Sequence, residues 1–318
     1  MMPSPIVQLP DMGGLTSFSH RAMATEFTLH LSAPDDVDLR AVAAEVFRRI
    51  DRIEEKLSFY REASDVSRIN RAAPGDTLVI DECTADCLML ALEVAVASEG
   101  RFDPFVGAQA LLAKAQPTPP HLADLPANED RIHDPSGATV AIDPLALSVT
   151  KIQRHGWLDL GAVGKGAALD AIGPVLADWN VTSAVLVAGG SSVLVLGPPP
   201  KCAAGGGWRL IFSELPGRPE LAVAAPFALG ASGLGFQPGH IVSAEGRLPQ
   251  SRTIVLAPSA ALADALSTAA MAMTDIEIAR MMKDERDIAV FAEANDPTQT
   301  PCATGVCSRL IPPSPEMS

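Results

Sequence analysis

The stretch Leu158-Asp159-Leu160-Gly161-Ala162-Val163-Gly164-Lys165-Gly166-Ala167-Ala168-Leu169-Asp170 constrains this chain more than any other. A short apolar run ends in an aspartate, passes three closely spaced glycines and opens a helix. Leu169, Ile172, Val175 and Leu176 recur at helical spacing, which predicts a helix after Lys165 with one buried face. Glycines ahead of a helix let the backbone turn sharply and approach a ligand closely. The free N–H groups of the first turn then form a ready anion site, to which Lys165 adds a full positive charge. Phosphate or pyrophosphate suits such a site, although the same spacing also serves as a plain structural turn. The pattern is G-x-x-G-x-G, so it is neither the dinucleotide fingerprint G-x-G-x-x-G nor a Walker loop.

A second informative stretch is Ala263-Asp264-Ala265-Leu266-Ser267-Thr268-Ala269. On a helix Asp264 and Thr268 lie one turn apart and project from the same face. A carboxylate and a hydroxyl so placed offer two hard oxygens, which suits Mg²⁺ when phosphates and backbone carbonyls complete the shell. The same residues also fit a threonine bonding back to its own helix and an aspartate near an N-cap. His240 follows Gly239 at the head of a short apolar strand, as a general base or as a structural histidine. Asp103, before Pro104, is placed to hold a turn. Tyr60 is the only tyrosine, and Phe59-Tyr60 after a helix either stacks on a planar ring or fills core. The remaining histidines show no ligand-like spacing, and no G-x-S-x-G elbow is present.

Composition narrows the partners. The 318 residues carry a formal net charge of −14, with no cluster of lysines or arginines. Nucleic acid and anionic membrane are therefore excluded as expected partners, and a phosphorylated ligand must find its positive charge locally. The 5 cysteines are scattered and form no C-x-x-C pair, so neither a disulfide framework nor a zinc site is indicated. No apolar run reaches the roughly 18 residues of a membrane span. Without a signal-like start, a cytoplasmic location is expected.

Along the chain, residues 1–19 read as an irregular leader rich in proline and glycine. A strand is expected over 25–31, a long amphipathic helix over 37–57, and a short helix from an N-cap at Ser64 to about Asn70. A second long helix is expected over 81–98, closed by Gly100. Residues 101–107 read as a tight turn, and 115–137 as a proline-rich surface insertion. Strands are expected near 139–142, 146–150 and 156–160. The segments 184–187 and 193–196 read as a hairpin around Gly189-Gly190. Further strands are expected at 208–213, 227–231, 240–242, 252–257 and 287–291, with helices over 260–273 and 275–283. The tail, 293–318, reads as irregular. Strands and helices do not alternate strictly, so the fold class is α+β with mixed sheets packed against helices.

Taken in order, these pieces resemble the FAD:protein FMN transferase (ApbE-like) family. The resemblance rests on Ala22-Met23-Ala24-Thr25, Leu57-Ser58-Phe59-Tyr60 with Ser64-Asp65-Val66-Ser67-Arg68-Ile69-Asn70, and Arg101-Phe102-Asp103-Pro104. It continues through Leu158 to Gly166, Gly189-Gly190, Trp208 onward, Ser232-Gly233, His240-Ile241 and Ala263 to Thr268. The family implies a single domain, here 20–292, with a flavin site between its two halves. Such enzymes bind FAD and Mg²⁺, cleave the pyrophosphate, and place FMN on a Ser or Thr hydroxyl of a target protein. Carried onto this chain, Met23, Tyr60, Arg101, Phe102 and Asp103 are implied flavin and adenine contacts. Asp159 and Lys165 are implied FAD contacts around the pyrophosphate. The backbone of Ala162, with Asp264 and Thr268, would hold the metal, and His240 would act as base.

This chain departs from the family pattern mainly on the acceptor side. Val242-Ser243-Ala244-Glu245-Gly246 follows His240-Ile241 where an Asp-Pro…Thr-Gly turn is usual, and Ser191 stands after the Gly-Gly pair where aspartate is common. Two alternatives therefore accompany the transferase: a FAD pyrophosphatase giving FMN and AMP, and a FAD-binding protein without turnover. Ser136-Gly137-Ala138-Thr139 also resembles the acceptor sequence of such enzymes, which raises self-modification at Thr139.

Overall fold

The fold is organised by an eight-stranded antiparallel sheet whose two faces are both covered. The structure is a computed structural model, and it describes residues 8–10, 12–123, 138–153, 156–200, 207–211, 220–233, 248–295, 302–306, 308 and 310–311. The first elements are β1 (Thr16–Ala22), β2 (Thr25–Ser32), α1 (Leu39–Leu57), α2 (Asp65–Arg71), β3 (Thr77–Val79), α3 (Glu82–Ala97) and α4 (Gly107–Ala113). Next come β4 (Val140–Asp143), β5 (Ser148–Lys151), α5 (Gly161–Asp170), α6 (Gly173–Asp178), β6 (Ser183–Ala188), β7 (Ser192–Leu196), β8 (Trp208–Ile211) and β9 (Glu220–Val223). The last are β10 (Phe227–Gly233), β11 (Gln250–Ala257), α7 (Ala260–Met271), α8 (Asp275–Met281), β12 (Ile288–Ala294), β13 (Cys302–Val306) and β14 (Leu310–Ile311). The mixed α+β class expected from the sequence is what is found.

In the large sheet the order is β1-β2-β6-β7-β10-β11-β12-β13. Alternation along β6 shows how both faces fill: Ala184, Leu186 and Ala188 face the helices, while Val185 and Val187 face the small sheet β14-β9-β8. On the helical side α1 lays down Val42, Val46, Ile50, Ile53 and Leu57, a stripe at helical spacing. Asp38 caps its start by accepting from the N–H groups of Arg40 and Ala41. A third sheet, β3-β5-β4, joins the same core through Val140 and Val149. No helix among the described residues is long and apolar enough to cross a membrane.

Several local expectations give way. Thr16 to Ser19, read as part of the leader, belong to β1, a half-exposed edge strand whose ladder runs from Thr16↔Leu31 to Ala22↔Thr25. Cys302–Val306, read as irregular tail, pairs with β12 as the other edge. The helix expected after Lys165 begins at Gly161 and stops at Asp170, and Gly173-Pro174 opens α6 as a separate helix. Residues 156–160 form no strand and contribute a single bridge, Val106↔Trp157. The expected strand over 240–242 and most of the insertion lie outside the described residues.

Candidate active site

The site starts from a close approach of backbones. A Cβ on Gly166 of α5 would lie 2.2 Å from the Ala260 carbonyl oxygen, and one on Gly230 of β10 would lie 2.3 Å from the Ala263 carbonyl. Because both are glycine, the first turns of α7 sit directly against α5 on one side and the sheet on the other. Asp170, at the end of α5, completes the clasp. Its two carboxylate oxygens accept from the N–H groups of Ala260 and Ala261, at 2.8 Å each. Those donors have no partner within a helix, and the N-cap Ser259 serves the next one, Leu262, at 3.3 Å.

Held in this clasp, Asp264 is 4% exposed. Its Oδ2 accepts from the Gly166 N–H at 2.9 Å and from the Ser192 hydroxyl at 2.7 Å. Among the described residues its Oδ1 takes no hydrogen bond. Burial pushes the Asp264 carboxyl up to about 6, against the opposing pull of nearby Lys165, Ser192 and the Gly166 amide. In a helix the N–H of Gly166 points at the carbonyl of Ala162, so an oxygen bonded to that N–H lies beside that carbonyl. Thr268, one turn on, donates to the Asp264 carbonyl at 3.2 Å and lies 3.4 Å from the Ser232 hydroxyl. Ser267 joins them, donating to the Asp264 carbonyl at 2.9 Å and lying 2.9 Å from Ser232.

The Mg²⁺ implied by the resemblance is compatible with this donor set. An unengaged carboxylate oxygen, a hydroxyl and a helix carbonyl are hard oxygen ligands, and a desolvated carboxylate gains from a neighbouring cation. No group of three or more His, Cys, Asp or Glu side chains able to hold a metal occurs among the described residues. A cation here would therefore keep water or phosphate oxygens in its shell, as Mg²⁺ commonly does.

A second group of residues lies at the start of α5 and on its other flank. Met23 sits in the tight turn between β1 and β2, with φ of 50°, and its side chain end lies 3.7 Å from where a Gly164 Cβ would be. Asp159 precedes α5 and accepts from the Gly161 N–H at 2.8 Å. Tyr60 stands close enough that Asp159, after burial, raises the phenol above its ordinary value. The Tyr60 hydroxyl donates to Gln116 Oε1 at 2.5 Å, and the ring is 53% exposed. Beneath it Phe59 packs edge-on to Tyr60, with centroids 5.5 Å apart, and tilted against Trp157 at 6.3 Å. The 101–107 turn is tied to the same segment: the Asp159 N–H donates to the Pro104 carbonyl and the Gly107 N–H to the Trp157 carbonyl.

The profile of the ApbE family matches residues 23–292. The chain belongs to the ApbE family. Solved structures share the fold, three of them as follows. A point mutant of flavin transferase ApbE from Vibrio cholerae superposes with a TM-score of 0.75 at 18% identity, covering 92% of this chain and 98% of that one. The unmutated Vibrio cholerae protein gives 0.73 at 20% identity, covering 91% and 97%. The apo form of Pseudomonas stutzeri flavinyl transferase ApbE gives 0.70 at 19% identity, covering 91% and 95%. At such identities the likeness is one of fold. Among curated proteins no match is found.

Of the residues singled out in this ApbE-family sequence, Ala162, Lys165, Asp264 and Thr268 come together on α5 and α7. Met23, Tyr60 and Asp159 border them. Arg101 pairs with Glu277 of α8 at 2.7 Å, and Asp103 Oδ1 accepts from the Phe105 N–H at 2.8 Å. The Phe102 ring is buried in the core, so any contact it makes with a ligand runs through its backbone. His240 lies outside the described residues. Thr139 is 5% exposed, which withdraws its hydroxyl from a transfer reaction.

Most of the N–H groups expected to cradle an anion are already engaged. Gly161 gives its N–H to Asp159, Val163 and Gly164 give theirs to the Leu160 carbonyl, and Gly166 gives its own to Asp264. Gly166 is there for close packing, and Lys165 remains as the positive group. Sequence reasoning missed Ser192, Asp170 and Asn70. Asn70 and Asp170 carried a signal only as the last residues of the Ser64–Asn70 and Leu158–Asp170 stretches.

Proposed function

We propose that this chain is a Mg²⁺-dependent FAD:protein FMN transferase, moving FMN from FAD to a Ser or Thr hydroxyl of a target protein and releasing AMP. Membership of the ApbE family supports the reaction class. The observation that carries the assignment to this site is Asp264: a buried carboxylate with one oxygen engaged and the other open, beside Lys165, on two helices held together by glycine. Asp264 Oδ1, Thr268 Oγ1 and the Ala162 carbonyl would hold the metal, which when bound would neutralise pyrophosphate charge that the Asp264 carboxylate otherwise repels. Lys165 adds its charge on the same side. Met23 and Tyr60 border the flavin end, and Asp159 lies with Lys165 on the pyrophosphate side.

In the transfer, His240 takes the proton of the acceptor hydroxyl. The acceptor oxygen bonds to the phosphorus of the FMN half, the bridging P–O bond breaks, and AMP leaves with that oxygen. Positioning and charge neutralisation supply most of the rate in such chemistry. The test is chromatography of FAD with Mg²⁺ and the protein, with and without a peptide carrying Asp-x-x-Ser-Gly-Ala-Thr. AMP release that depends on the peptide, with flavin left on it, is expected. AMP and free FMN without peptide would replace the transferase by a pyrophosphatase, and intact bound FAD would leave a binding protein.

A further inference from the structure

The buried polar residues of α2 are used by nothing described so far. Ser64, Ser67 and Asn70 are spaced three apart, so they line one side of this short helix, and they are 0%, 0% and 3% exposed. Ser64, the N-cap, accepts from the Ser67 N–H at 3.0 Å and donates to the Ser58 carbonyl at 2.5 Å. Ser67 donates to the Phe59 carbonyl at 3.1 Å, with His121 Nε2 also 3.1 Å from its hydroxyl. Asn70 uses both ends of its amide on one residue: Oδ1 accepts from the Leu158 N–H at 2.7 Å, and Nδ2 donates to the Leu158 carbonyl at 3.0 Å. Leu158 is fully buried yet lies in no strand, so its backbone would otherwise be unpaired away from water. The two segments so held carry Tyr60 and Asp159.

We propose that Ser64, Ser67 and Asn70 form an internal polar spine that sets the spacing between the Tyr60 segment and the Asp159 segment, which together line one wall of the FAD site. They are positioning residues: each acts through the backbone it grips, one or two residues from the group that borders the ligand. The inference rests on the FAD reading above for its ligand, and on the hydrogen bonds alone for its geometry. Asn70 stands in for a missing neighbouring strand at the point where the chain turns into α5.

The test combines amide hydrogen exchange with FAD binding in wild type, Asn70→Ala, Asn70→Asp and Ser67→Ala. Asn70→Ala is expected to speed exchange over residues 157–161 by about tenfold or more, because the Leu158 N–H loses its acceptor. Asn70→Asp keeps that acceptor and should hold the Leu158 amide near its wild-type rate. Ser67→Ala should loosen residues 58–61 and spare 157–161. In the folded variants the Kd for FAD should rise about tenfold with Asn70→Ala, while kcat at saturating FAD falls less than about threefold. If Asn70→Ala does not fold, Asn70→Asp and Ser67→Ala carry the comparison. Unchanged exchange at both segments overturns the spine whatever FAD does. A fall in Tm with wild-type Kd and exchange in the folded protein also overturns it, leaving only a structural role. Absence of FAD binding by the wild type would instead overturn the ligand assignment, and the exchange data would still judge the spine.

Discussion

In the proposed site the α5–α7 centre and the Tyr60 wall are made differently. At the centre, Asp264 is almost fully desolvated, and its neighbours are backbone, small hydroxyls and two glycines that leave no room for adjustment. At the wall, Tyr60 is half exposed, and Arg101 and Glu277 meet as a partly solvated ion pair. A buried carboxylate is expensive even with two hydrogen bonds, and a bound cation would offset that cost. A wet aromatic surface is cheap and tolerant. The contrast assigns chemistry to the rigid centre and ligand recognition to the wall, and substitutions on each side should separate accordingly.

The largest effect belongs to Asp264. Asp264→Asn should lower FMN transfer by about 10²–10³-fold, the range that follows loss of one preorganised electrostatic group. It should also raise the Tm of the EDTA-treated protein at pH 7, since a neutral amide oxygen can still accept from Gly166 and Ser192 without burying charge. The sign follows from protonation. The folded carboxyl titrates at about 6 against 3.8 unfolded, so between these values the folded state holds more protons. Stability of the metal-free protein therefore falls as pH rises through that window, and Asp264→Asn should flatten the fall. A variant that transfers FMN at the wild-type rate, or that is less stable than wild type without metal, breaks the assignment of the centre.

Gly166→Ala comes next and tests rigidity. Its Cβ would overlap the Ala260 carbonyl, and that atom is backbone, so α5 and α7 must separate. A stability loss of about 1–3 kcal/mol or more is expected from such overpacking, together with weaker binding of Mg²⁺ measured by calorimetry. Gly164→Ala is the control, because its Cβ would meet only side-chain ends at 3.6 and 3.7 Å. Equal losses in the two variants would mean that the clasp is not the reason for glycine at 166.

These two glycines also show what the sequence can and cannot tell. The helix α1 was readable because it carries an apolar stripe, and α3 and α7 because each is a long run rich in apolar residues and unbroken by glycine or proline. Asp264 and Thr268 were readable as a pair because a single helix fixes their spacing. Glycine is a poor helix former, so the start of α5 read as a loop, and packing against α7 overrode that preference. The apolar run before it read as a strand because burial and strand pairing look alike in a short segment, and Asn70 replaces the strand partner from a distant part of the chain. Ser192 could not be found at all. A serine opening a strand is ordinary, and only the tertiary fold brings it to Asp264.

Ser192 gives the third effect. Ser192→Ala leaves Oδ2 of Asp264 with the Gly166 N–H alone, and a lost partner of a ligating carboxylate typically costs 10–100-fold in metal affinity. Calorimetric titration with Mg²⁺ reads this directly. Ser192→Thr, which retains a hydroxyl, should recover part of it if the extra methyl is accommodated. Affinity unchanged in Ser192→Ala would show that Asp264 is oriented by its helix and needs no second grip.

The wall should give the smallest effects, and Tyr60→Phe is the sharpest of them. It removes only the hydroxyl that donates to Gln116, at a half-exposed position, so Tm should move little, by about 0.5 kcal/mol of stability or less. If Tyr60 serves by its ring, the Kd for FAD should change less than about threefold in Tyr60→Phe. Tyr60→Ala should then raise it several-fold further, since an aromatic pair is worth roughly 0.5–1.5 kcal/mol beyond area burial. The transfer rate at saturating FAD should stay near wild type in both. If Phe is as damaging as Ala, the hydroxyl and its hold on Gln116 matter more than the ring. A fall in saturated rate comparable to that of Asp264→Asn would erase the division between a chemical centre and a recognition wall.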